Sequence, residues 1–469
     1  MNPNWFAYLA LFSWPLVSFV LYQRLPVARA TLWSILAAYL LLPSATEVDL
    51  PMIPPMDKAT IPNLSAFLIC RFALGKRISL LPNIRWLRGL LLIYVTSPFI
   101  TALLNADPII AGPLQIKAMN SYDALSAAIR QSLFILPFLL GIAFVRDAKS
   151  HEDVLRILVV AALAYSLPML FEVRMSPQLH RWFYGFFPHS FGQQKRGDGF
   201  RPVVFMEHGL LVAFFTMSAL FAASTLAKLR KTVRGIGAGM VSFYLGVVLI
   251  LCKSMASMIY ALLLVGGSRI VSPAGQIKFA RVLVMMVVVY PLCRATDWFP
   301  TNELVAMAAE VSELRAQSLR YRLDNEEILL HHARERGFFG WGSWGRNRVY
   351  DPNSGKDLSV TDGRWIIVMG EFGWVGYLAE FGLLALPVLR ASKAIRMITD
   401  TRERRVFAAI TSLLAISMFD LLPNASVSPW TWLLAGALLG RIEQLRLSAR
   451  KQRVTPADSR HKIQTVQAA

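Results

Sequence analysis

Residues 5–22 read WFAYLALFSWPLVSFVLY, an apolar run of 18 residues with no charged side chain. As a helix, a run of this length crosses the roughly 30 Å hydrocarbon core of a bilayer. Similar runs recur to the far end of the chain, and we predict spans at residues 4–22, 30–46, 63–75, 89–104, 123–145, 154–173, 202–224, 235–252, 254–267, 280–296, 366–389, 406–421 and 430–442. The fold class is therefore all-α, a polytopic transmembrane bundle of about 12–13 helices.

The overall composition agrees with a membrane protein. The 469 residues are 55% hydrophobic with a mean hydropathy of +0.46, which is too apolar for an ordinary water-soluble domain. A net charge of +20 would suggest nucleic acid in a soluble protein, but most of it lies in short loops, so no nucleic-acid partner is expected. Cys70, Cys252 and Cys293 lie in or beside apolar runs without metal-ligand spacing and are interpreted as core residues.

The distribution of Lys and Arg predicts the orientation. Alternate loops are basic, at residues 24–29, 71–88, 146–149, 228–234, 269–281 and 390–405. By the positive-inside rule these loops face the cytoplasm, with the N-terminus outside and the C-terminus inside. The first span lacks a basic region before it and a cleavage pattern after it, so we expect it to be retained. Residues 1–442 then form the transmembrane domain, and the basic residues 443–469 form a disordered cytoplasmic tail.

The longest loop, residues 297–365, lies on the predicted outer face, and a loop of that length is usually functional. Apolar residues recur at three-and-four spacing from about residue 303 to 336, which predicts an amphipathic helix lying over the bundle. The next stretch, ERGFFGWGSWGRNRVYDPNSG (335–355), replaces that period with Gly and aromatic residues. We expect an ordered, lid-like loop there.

Arginines are the first candidates for a site on the outer face. Arg315, Arg320 and Arg322 cluster on the predicted helix of the long loop, and a planar guanidinium suits phosphate oxygens. Arg201 lies where the seventh span enters the bilayer. The alternatives are ordinary: Arg320 and Arg322 each have an acidic residue four positions later for a surface salt bridge, and Arg201 is suited to snorkel to the interface.

Histidines and tryptophans of the long loop have two interpretations each. His331 and His332 are either site residues or solvated residues of the polar helix face. Trp341 and Trp344 are either a stacking platform for sugar rings or part of an interfacial aromatic belt.

Ionisable residues inside predicted spans are costly in lipid and default to functional or paired roles. Glu207 and His208 fall about two turns into the seventh span. Glu371 and Glu380 lie in the eleventh span, and Asp420 lies near the outer end of the twelfth.

Three stretches, in order, resemble the motifs of one family, the bacterial O-antigen ligases and polysaccharide polymerases. They are GFRPVVFMEHGLLVAFF (199–215), YRLDNEEILLHHARERGFFGWG (321–342) and TDGRWIIVMGEFGWVGYLAEFGLL (361–384). The first resembles the family's arginine before a helix start, the second its Arg-Leu followed by a helix and a Gly-x-Gly turn, and the third its polar dyad that opens a Gly-rich span. The N-terminal half matches only as hydrophobic spans.

The resemblance implies a glycosyltransferase-C-like fold and a metal-independent, inverting transfer of a glycan from an undecaprenyl-pyrophosphate carrier to an acceptor hydroxyl. By motif position Arg201 and Arg322 would clamp the pyrophosphate, with Arg320 beside them. The expected substrate-binding set is completed by Glu207, His208, Trp341, Trp344 and Glu371.

One departure concerns the acceptor-activating base. Where the ligases have a His-containing dyad, this chain has Asp362-Gly363, and a carboxylate can also accept a proton from a sugar hydroxyl. Asp362 is therefore the expected base, with His331 or His332 as substitutes, and a polymerase-like or divergent member is favoured. Alternatively, Asp362 caps the eleventh span through its side chain.

The leading hypothesis is a multi-pass enzyme of the bacterial inner membrane, with a periplasmic active face, that polymerises or ligates lipid-linked oligosaccharides for exopolysaccharide, capsule, O-antigen or lipopolysaccharide assembly. Its expected partners are the lipid-linked glycan, a glycan or lipid acceptor, membrane lipids and a chain-length regulator protein. No cofactor and no metal are expected. The alternatives are a transporter or flippase of lipid-linked glycan and a non-catalytic envelope scaffold.

Overall fold

The computed structural model describes residues 2–50, 53–82, 84–196 and 199–454, which form helices joined by loops and small hairpins. The helices are α1 Trp5–Arg24, α2 Val27–Leu41, α3 Thr60–Leu68, α4 Arg85–Leu103, α5 Ser121–Phe144, α6 Ala148–Met175, α7 Leu179–Tyr184, α8 Gly209–Lys228, α9 Ala238–Leu251, α10 Met255–Ala261, α11 Gly267–Ile270, α12 Pro273–Ala295, α13 Thr301–Val311, α14 Glu313–Glu335, α15 Arg364–Ala394, α16 Thr401–Asp420 and α17 Pro429–Val454. Four antiparallel hairpins pair β1 Glu47–Leu50 with β2 Ile53–Asp57, β3 Ile109–Ala111 with β4 Leu114–Ile116, β5 Lys195–Arg196 with β6 Gly199–Phe200, and β7 Thr232–Val233 with β8 Ile236–Gly237.

Seven helices in the described part of the chain are long and apolar enough to cross a membrane: α1, α4, α5, α6, α8, α12 and α15. Shorter apolar helices are α2, α3 with its π-helical extension, α9, and α10 with α11. Each predicted span coincides with a helix, so the helical fold class is confirmed at that level. A total of twelve or thirteen crossings stays a prediction.

Loops that follow alternate helices meet at one end of the bundle. The amide of Ser44, after α2, donates to Nε2 of His180, after α6, at 3.3 Å. The hydroxyl of Thr101, near the end of α4, donates to the carbonyl of Phe339 in the long loop at 2.6 Å. We call this end of the bundle the site end, because the candidate site residues lie on its loops and helix termini.

Small residues let α5 and α17 pack with their backbones in close approach. A Cβ atom on Gly141 of α5 would collide with the backbone of α17 at Ala437, and one on Gly436 would collide with the carbonyl of Phe138 in α5. Glycines at helix interfaces are typical of membrane helices, where close van der Waals packing drives association.

Helix α15 contains a break at Gly373, whose backbone angles are φ 62° and ψ −162°. At this break the amide of Trp374 donates to the carbonyl of Gly337 at 2.8 Å, and the amide of Val375 donates to the carbonyl of Phe338 at 3.1 Å. Both acceptors belong to residues 337–345 of the long loop, which we call the Gly/Trp turn. The turn therefore satisfies amides that the broken helix leaves open.

The Gly/Trp turn also donates hydrogen bonds to two carbonyls of α15 that lose their helical partners at the break. The amide of Trp341 donates to the carbonyl of Gly370 at 2.8 Å, and the amide of Gly342 donates to the carbonyl of Glu371 at 2.9 Å. An unbroken helix would have used those two carbonyls for its own amides four residues later. The exchange is reciprocal, and it fixes the long loop onto α15.

A buried ion pair bridges the two halves of α15. The guanidinium of Arg364 donates from Nε and Nη2 to the two carboxylate oxygens of Glu380, both at 2.7 Å. The side chain of Glu380 is 1% exposed, so removal of either partner would leave a buried charge unpaired. The pair explains Glu380 as a structural residue of the bundle.

The single helix predicted for residues 303–336 is wrong in one respect, since the structure has two helices there. Ser312, between α13 and α14, has extended backbone angles of φ −172° and ψ 126°. Apolar spacing continues across this position, so the sequence pattern did not reveal the bend. Only α14 carries Arg320 and Arg322.

Glu207 and His208 do not lie inside a span as predicted, because α8 begins at Gly209 and the residues before it are irregular. The buried carboxylate of Glu172 in α6 accepts hydrogen bonds from the amides of Val203 and Val204, both at 2.7 Å. These two hydrogen bonds satisfy the backbone amides in place of helical hydrogen bonds. The buried chain therefore does not need to be helical here.

The tail predicted to be disordered from residue 443 is helical as far as Val454, where α17 ends. Its first turns pack on the bundle: the Arg390 guanidinium donates to Glu443 at 3.1 Å. Residues 455–469 lie outside the described part of the chain, as does the side chain of Arg315.

We expect Gly373→Ala to detach the Gly/Trp turn from α15. The backbone angles of Gly373 are open essentially only to glycine and cost another residue ~1–3 kcal/mol, and a Cβ here would also collide with the backbone of Phe338. Tryptic cleavage at Arg346, the residue directly after the Gly/Trp turn, should become faster, and the unfolding temperature in detergent should fall. Gly246→Ala in α9, where a Cβ meets open space, is the control. Equal protease resistance of the two variants would contradict the role of Gly373.

Candidate functional site: an arginine cluster and a polar cavity

Arg201 is buried at the site end, with 8% of its surface exposed. Its amide donates to the carbonyl of Gln194 at 2.9 Å, next to the β5–β6 hairpin. Its guanidinium donates from Nε and Nη2 to the carbonyl of Lys253, at 3.2 and 3.0 Å. These contacts hold the side chain in place with a neutral acceptor, so the positive charge stays available to an anion.

Two further arginines lie close to Arg201, and we call Arg196, Arg201 and Arg322 the arginine cluster. The pKa of the Arg201 guanidinium is lowered to about 10, chiefly by burial and also by the positive charges of Arg196 and Arg322. Arg322 belongs to α14 in the long loop, whereas Arg201 precedes α8. Three cations from two distant segments, residues 196–201 and α14, therefore converge at one place, an arrangement that an anionic ligand would stabilise.

Asp362 is the acidic neighbour of the cluster. Its Oδ2 lies 3.7 Å from Nε of Arg322, and both side chains are about 40% exposed. The first residue before α15 is Gly363, and the Asp362 side chain makes no capping bond to that helix. Glu326, four residues after Arg322, lies instead 3.5 Å from Arg294. Asp362 therefore does not cap α15, and Arg322 pairs with Asp362 rather than with Glu326.

His208 lies at the start of α8, beside the arginine cluster. Its Nδ1 accepts a hydrogen bond from the amide of Leu210 at 3.0 Å, so it is the N-cap of α8. Burial is the main cause that lowers the pKa of His208 to about 4, and the neighbouring His189 and Arg201 side chains act in the same direction. The imidazole is therefore neutral near pH 7 and acts as a hydrogen-bonding group rather than a fourth cation.

Glu207, Trp344 and Glu371 line a separate cavity of about 560 Å³ at the site end. Its basic residues are Lys58, Arg130 and Arg364. Three of the eleven predicted site residues thus face this cavity, whereas Arg201, Arg322, His208 and Asp362 gather at the arginine cluster. The structure divides the predicted site into two neighbouring parts.

His332 and Trp341 belong to the packing of the Gly/Trp turn. Their rings stack at a centroid distance of 4.3 Å, and the guanidinium of Arg336 lies 4.0 Å from the Trp341 ring centroid. The Trp341 indole donates to the carbonyl of His332 at 2.8 Å. His331 and Arg320 lie exposed on α14. The structure does not bring these four residues into the cluster or the cavity lining.

Sequence reasoning missed Arg196, Lys253, Lys58 and Arg130. A charged residue within an apolar span is detectable from sequence, and Arg130 in α5 had that property. The other three lie in loops or at a hairpin, and only the meeting of distant segments places them at the site. Lys253 contributes its backbone carbonyl, for which no sequence pattern exists.

Comparisons with known proteins give no further assignment: no family model matches the chain, and no curated protein matches it. Among the described residues, no group of three or more His, Cys, Asp or Glu side chains is placed to hold a metal ion.

We expect His208→Asn to reduce the loss of stability in mild acid. A histidine titrates near about 6.5 in an unfolded chain, so between about pH 6.5 and 4 the unfolded state binds a proton that the folded state does not. The contribution of His208 is therefore present above this window and disappears as the pH falls. Asparagine retains an N-cap worth about 1 kcal/mol but does not titrate.

The measurement for His208 is the unfolding temperature at pH 7 and pH 5 in detergent. The difference between the two values should be smaller for His208→Asn than for the unaltered protein. His331→Asn, on the exposed face of α14, is the matched control. An undiminished difference in His208→Asn would show that this imidazole is not the group that titrates.

Proposed function

We propose that this chain is a membrane glycosyltransferase that moves a glycan from an undecaprenyl-diphosphate carrier to an acceptor hydroxyl, as a polymerase or a ligase. The observation that carries the proposal is the convergence of Arg201 and Arg322 from two distant segments. The same two arginines are those that the family resemblance assigns to the pyrophosphate. Their proximity was not required by the sequence.

The arginine cluster is suited to a diphosphate leaving group. When the bond from the sugar to the phosphate breaks, negative charge grows on the phosphate oxygen, and preorganised cations stabilise that charge. Arg201 is held by the Lys253 carbonyl and Arg322 by a loose contact with Asp362, so each retains donors for phosphate oxygens. Guanidinium groups keep their charge beside a membrane and grip phosphate with paired hydrogen bonds.

Asp362 fits the role of general base through an exchange of partners. A diphosphate bound to Arg322 would replace the 3.7 Å contact with Asp362 and free the carboxylate. The acceptor oxygen then bonds to the anomeric carbon while the bond from that carbon to the phosphate oxygen breaks. The diphosphate leaves with the electron pair, and the acceptor proton goes to Asp362. The acceptor attacks from the opposite side, which inverts the anomeric centre.

The long apolar helices support a carrier that is itself a membrane lipid. An isoprenoid chain stays in the bilayer, and its diphosphate reaches the ends of the helices, where the arginine cluster lies. With the basic loops on the cytoplasmic side, the site end faces the periplasm of a bacterial inner membrane. This placement is part of the proposal.

One observation favours the flippase alternative. The polar cavity contains cations from both halves of the chain, Lys58 and Arg130 from one and Arg364 from the other. Arg364 is already paired with Glu380, however, and carboxylates outnumber cations in that lining. Product analysis separates the two functions, because a flippase forms no glycosidic bond.

We expect Arg201→Ala and Arg322→Ala each to abolish long-chain glycan, since each removes a fixed cation from the leaving group. Arg201→Lys and Arg322→Lys should restore little activity, because an ammonium cannot make the paired contact. In cells that lack the chromosomal copy, glycan length is followed by gel electrophoresis and lipid-linked oligosaccharide by mass spectrometry. Loss of activity should be accompanied by accumulation of the lipid-linked substrate.

The control for this experiment is Arg348→Ala. Arg348 is a surface residue of the long loop paired with Asp357 at 2.7 Å, outside the cluster and the cavity lining. It should leave the glycan unchanged while removing the same charge from the same loop. Glycan of normal length in either cluster variant, with normal amounts of protein in the membrane, would refute the proposed site.

We expect the purified protein in proteoliposomes to remain active in EDTA, because guanidinium groups supply the positive charge at the diphosphate. The substrate is lipid-linked oligosaccharide extracted from cells that lack the protein. Equal initial rates with and without EDTA are the predicted result. A rate that falls in EDTA and recovers with magnesium would show that a divalent ion takes part.

A further inference from the structure

The polar cavity lies between the hairpin region after α2, the helices α4 and α5, and the first half of α15. Its volume of about 560 Å³ is within the roughly 300–1,000 Å³ of typical small-molecule sites. The arginine cluster already accounts for the diphosphate of the carrier, so the cavity needs a different occupant.

The charges of the cavity argue against a diphosphate there. The lining has five carboxylates and three cations; the carboxylates are Glu47, Asp57, Glu207, Glu371 and Glu380. One cation, Arg364, is already paired with Glu380 through two hydrogen bonds. Burial lowers the pKa of Lys58 to about 8, although Glu207 and Asp57 raise that pKa, so the ammonium already faces two carboxylates. An anion placed here would meet an excess of like charge.

Aromatic faces line the same cavity. They include Tyr39, Tyr94, Trp344 and Trp432. Trp344 has 54% of its surface exposed and a left-handed backbone with φ 58°, a conformation that costs a non-glycine residue energy. Trp344 belongs to the Gly/Trp turn, which is fixed to α15 by the amides of Trp341 and Gly342. Strain that presents a large aromatic face to a polar cavity is typical of a binding position rather than of packing.

Polar groups in the wall have hydrogen-bonding capacity to spare. Gln131 of α5 is part of the lining and 7% exposed, and its Oε1 receives no hydrogen bond from the described residues. Ser126 lines the same cavity, as does Ser428, whose hydroxyl is hydrogen-bonded to Thr431. Carboxylates, amides and hydroxyls around aromatic faces suit a ligand with many hydroxyl groups and apolar ring faces.

The cavity and the arginine cluster share two chain segments. Glu207 lines the cavity, while the next residue, His208, lies within the field of the cluster. Asp362 contacts Arg322 of the cluster, while Arg364 lines the cavity. Residues two apart in sequence have Cα atoms no more than about 7 Å apart. The base and the cavity are therefore neighbours.

We propose that this cavity is the acceptor subsite, which holds the non-anionic, hydroxyl-rich end of a glycan chain with a ring face against Trp344 while its hydroxyl reaches Asp362. The inference rests on the proposed function and assigns the two substrates to separate places: the lipid diphosphate to the arginine cluster and the acceptor sugar to the cavity. Glu207 and Gln131 bind sugar hydroxyls there.

The test compares two probes on the full chain in lipid nanodiscs. One probe is undecaprenyl diphosphate. The other is the lipid-free oligosaccharide released by mild acid from lipid-linked glycan of cells that lack the protein. Binding is measured by native mass spectrometry for the unaltered protein and for Trp344→Ala, Trp344→Asn, Glu207→Gln, Arg201→Ala and Arg322→Ala.

We expect Trp344→Ala to bind the oligosaccharide about tenfold more weakly and the lipid diphosphate as before, since it removes only the aromatic face. Glu207→Gln should weaken the oligosaccharide alone. Arg322→Ala should show the reverse pattern. Because Trp344 has a left-handed backbone, Trp344→Asn is a second variant that keeps the turn and removes the ring.

The two hypotheses fail in different ways. Oligosaccharide binding that is absent from the unaltered protein, or undiminished in Trp344→Ala, Trp344→Asn and Glu207→Gln, would overturn the acceptor subsite. Loss of the lipid diphosphate in Trp344→Asn would do so too, because the carrier would then occupy the cavity. Undiminished binding of the lipid diphosphate in Arg322→Ala and Arg201→Ala would instead overturn the proposed function.

Discussion

The break in α15 at Gly373 is the constraint on which the site end depends. Two helical hydrogen bonds are missing there, and the Gly/Trp turn replaces them with four of its own. An apolar environment does not tolerate open backbone groups, so the turn and the helix have to stay together. This contact anchors the long loop on the bundle, and with it α14, which carries Arg322 to Asp362 at the start of α15.

The site end has two regions, which differ in the sign of their excess charge. Around Arg201 the cations are in excess and the acceptor of Arg201 is a neutral carbonyl, whereas in the cavity the carboxylates are in excess and aromatic faces are added. The proposed glycan transfer requires an anionic and a hydroxyl-rich substrate to bind side by side. The short segments around His208 and Gly363 form the boundary between these two environments.

Several features of the site end were predictable because they follow from local rules. The apolar runs predicted the helices, and the cost of charge in lipid singled out Glu371 and Glu380. The same rule failed at Glu207 and His208, since buried Glu172 in α6 supports an irregular backbone where hydropathy indicates a helix. His332 and Trp341 were attractive by type, yet their ring stacking belongs to the turn, and His331 lies exposed on α14.

By itself the sequence determined a helical chain built for an apolar environment, the exceptional length of one loop, and the residue types able to hold a diphosphate. Tertiary structure alone decided which of those residues meet. Arg201 and Arg322 are brought together, Trp344 and Glu207 are turned to a different cavity, and Lys253 contributes only a carbonyl. The physical reason is that hydropathy and helix periodicity act over a few turns. The meeting of distant loops depends instead on backbone hydrogen bonds and buried carboxylates contributed by other helices.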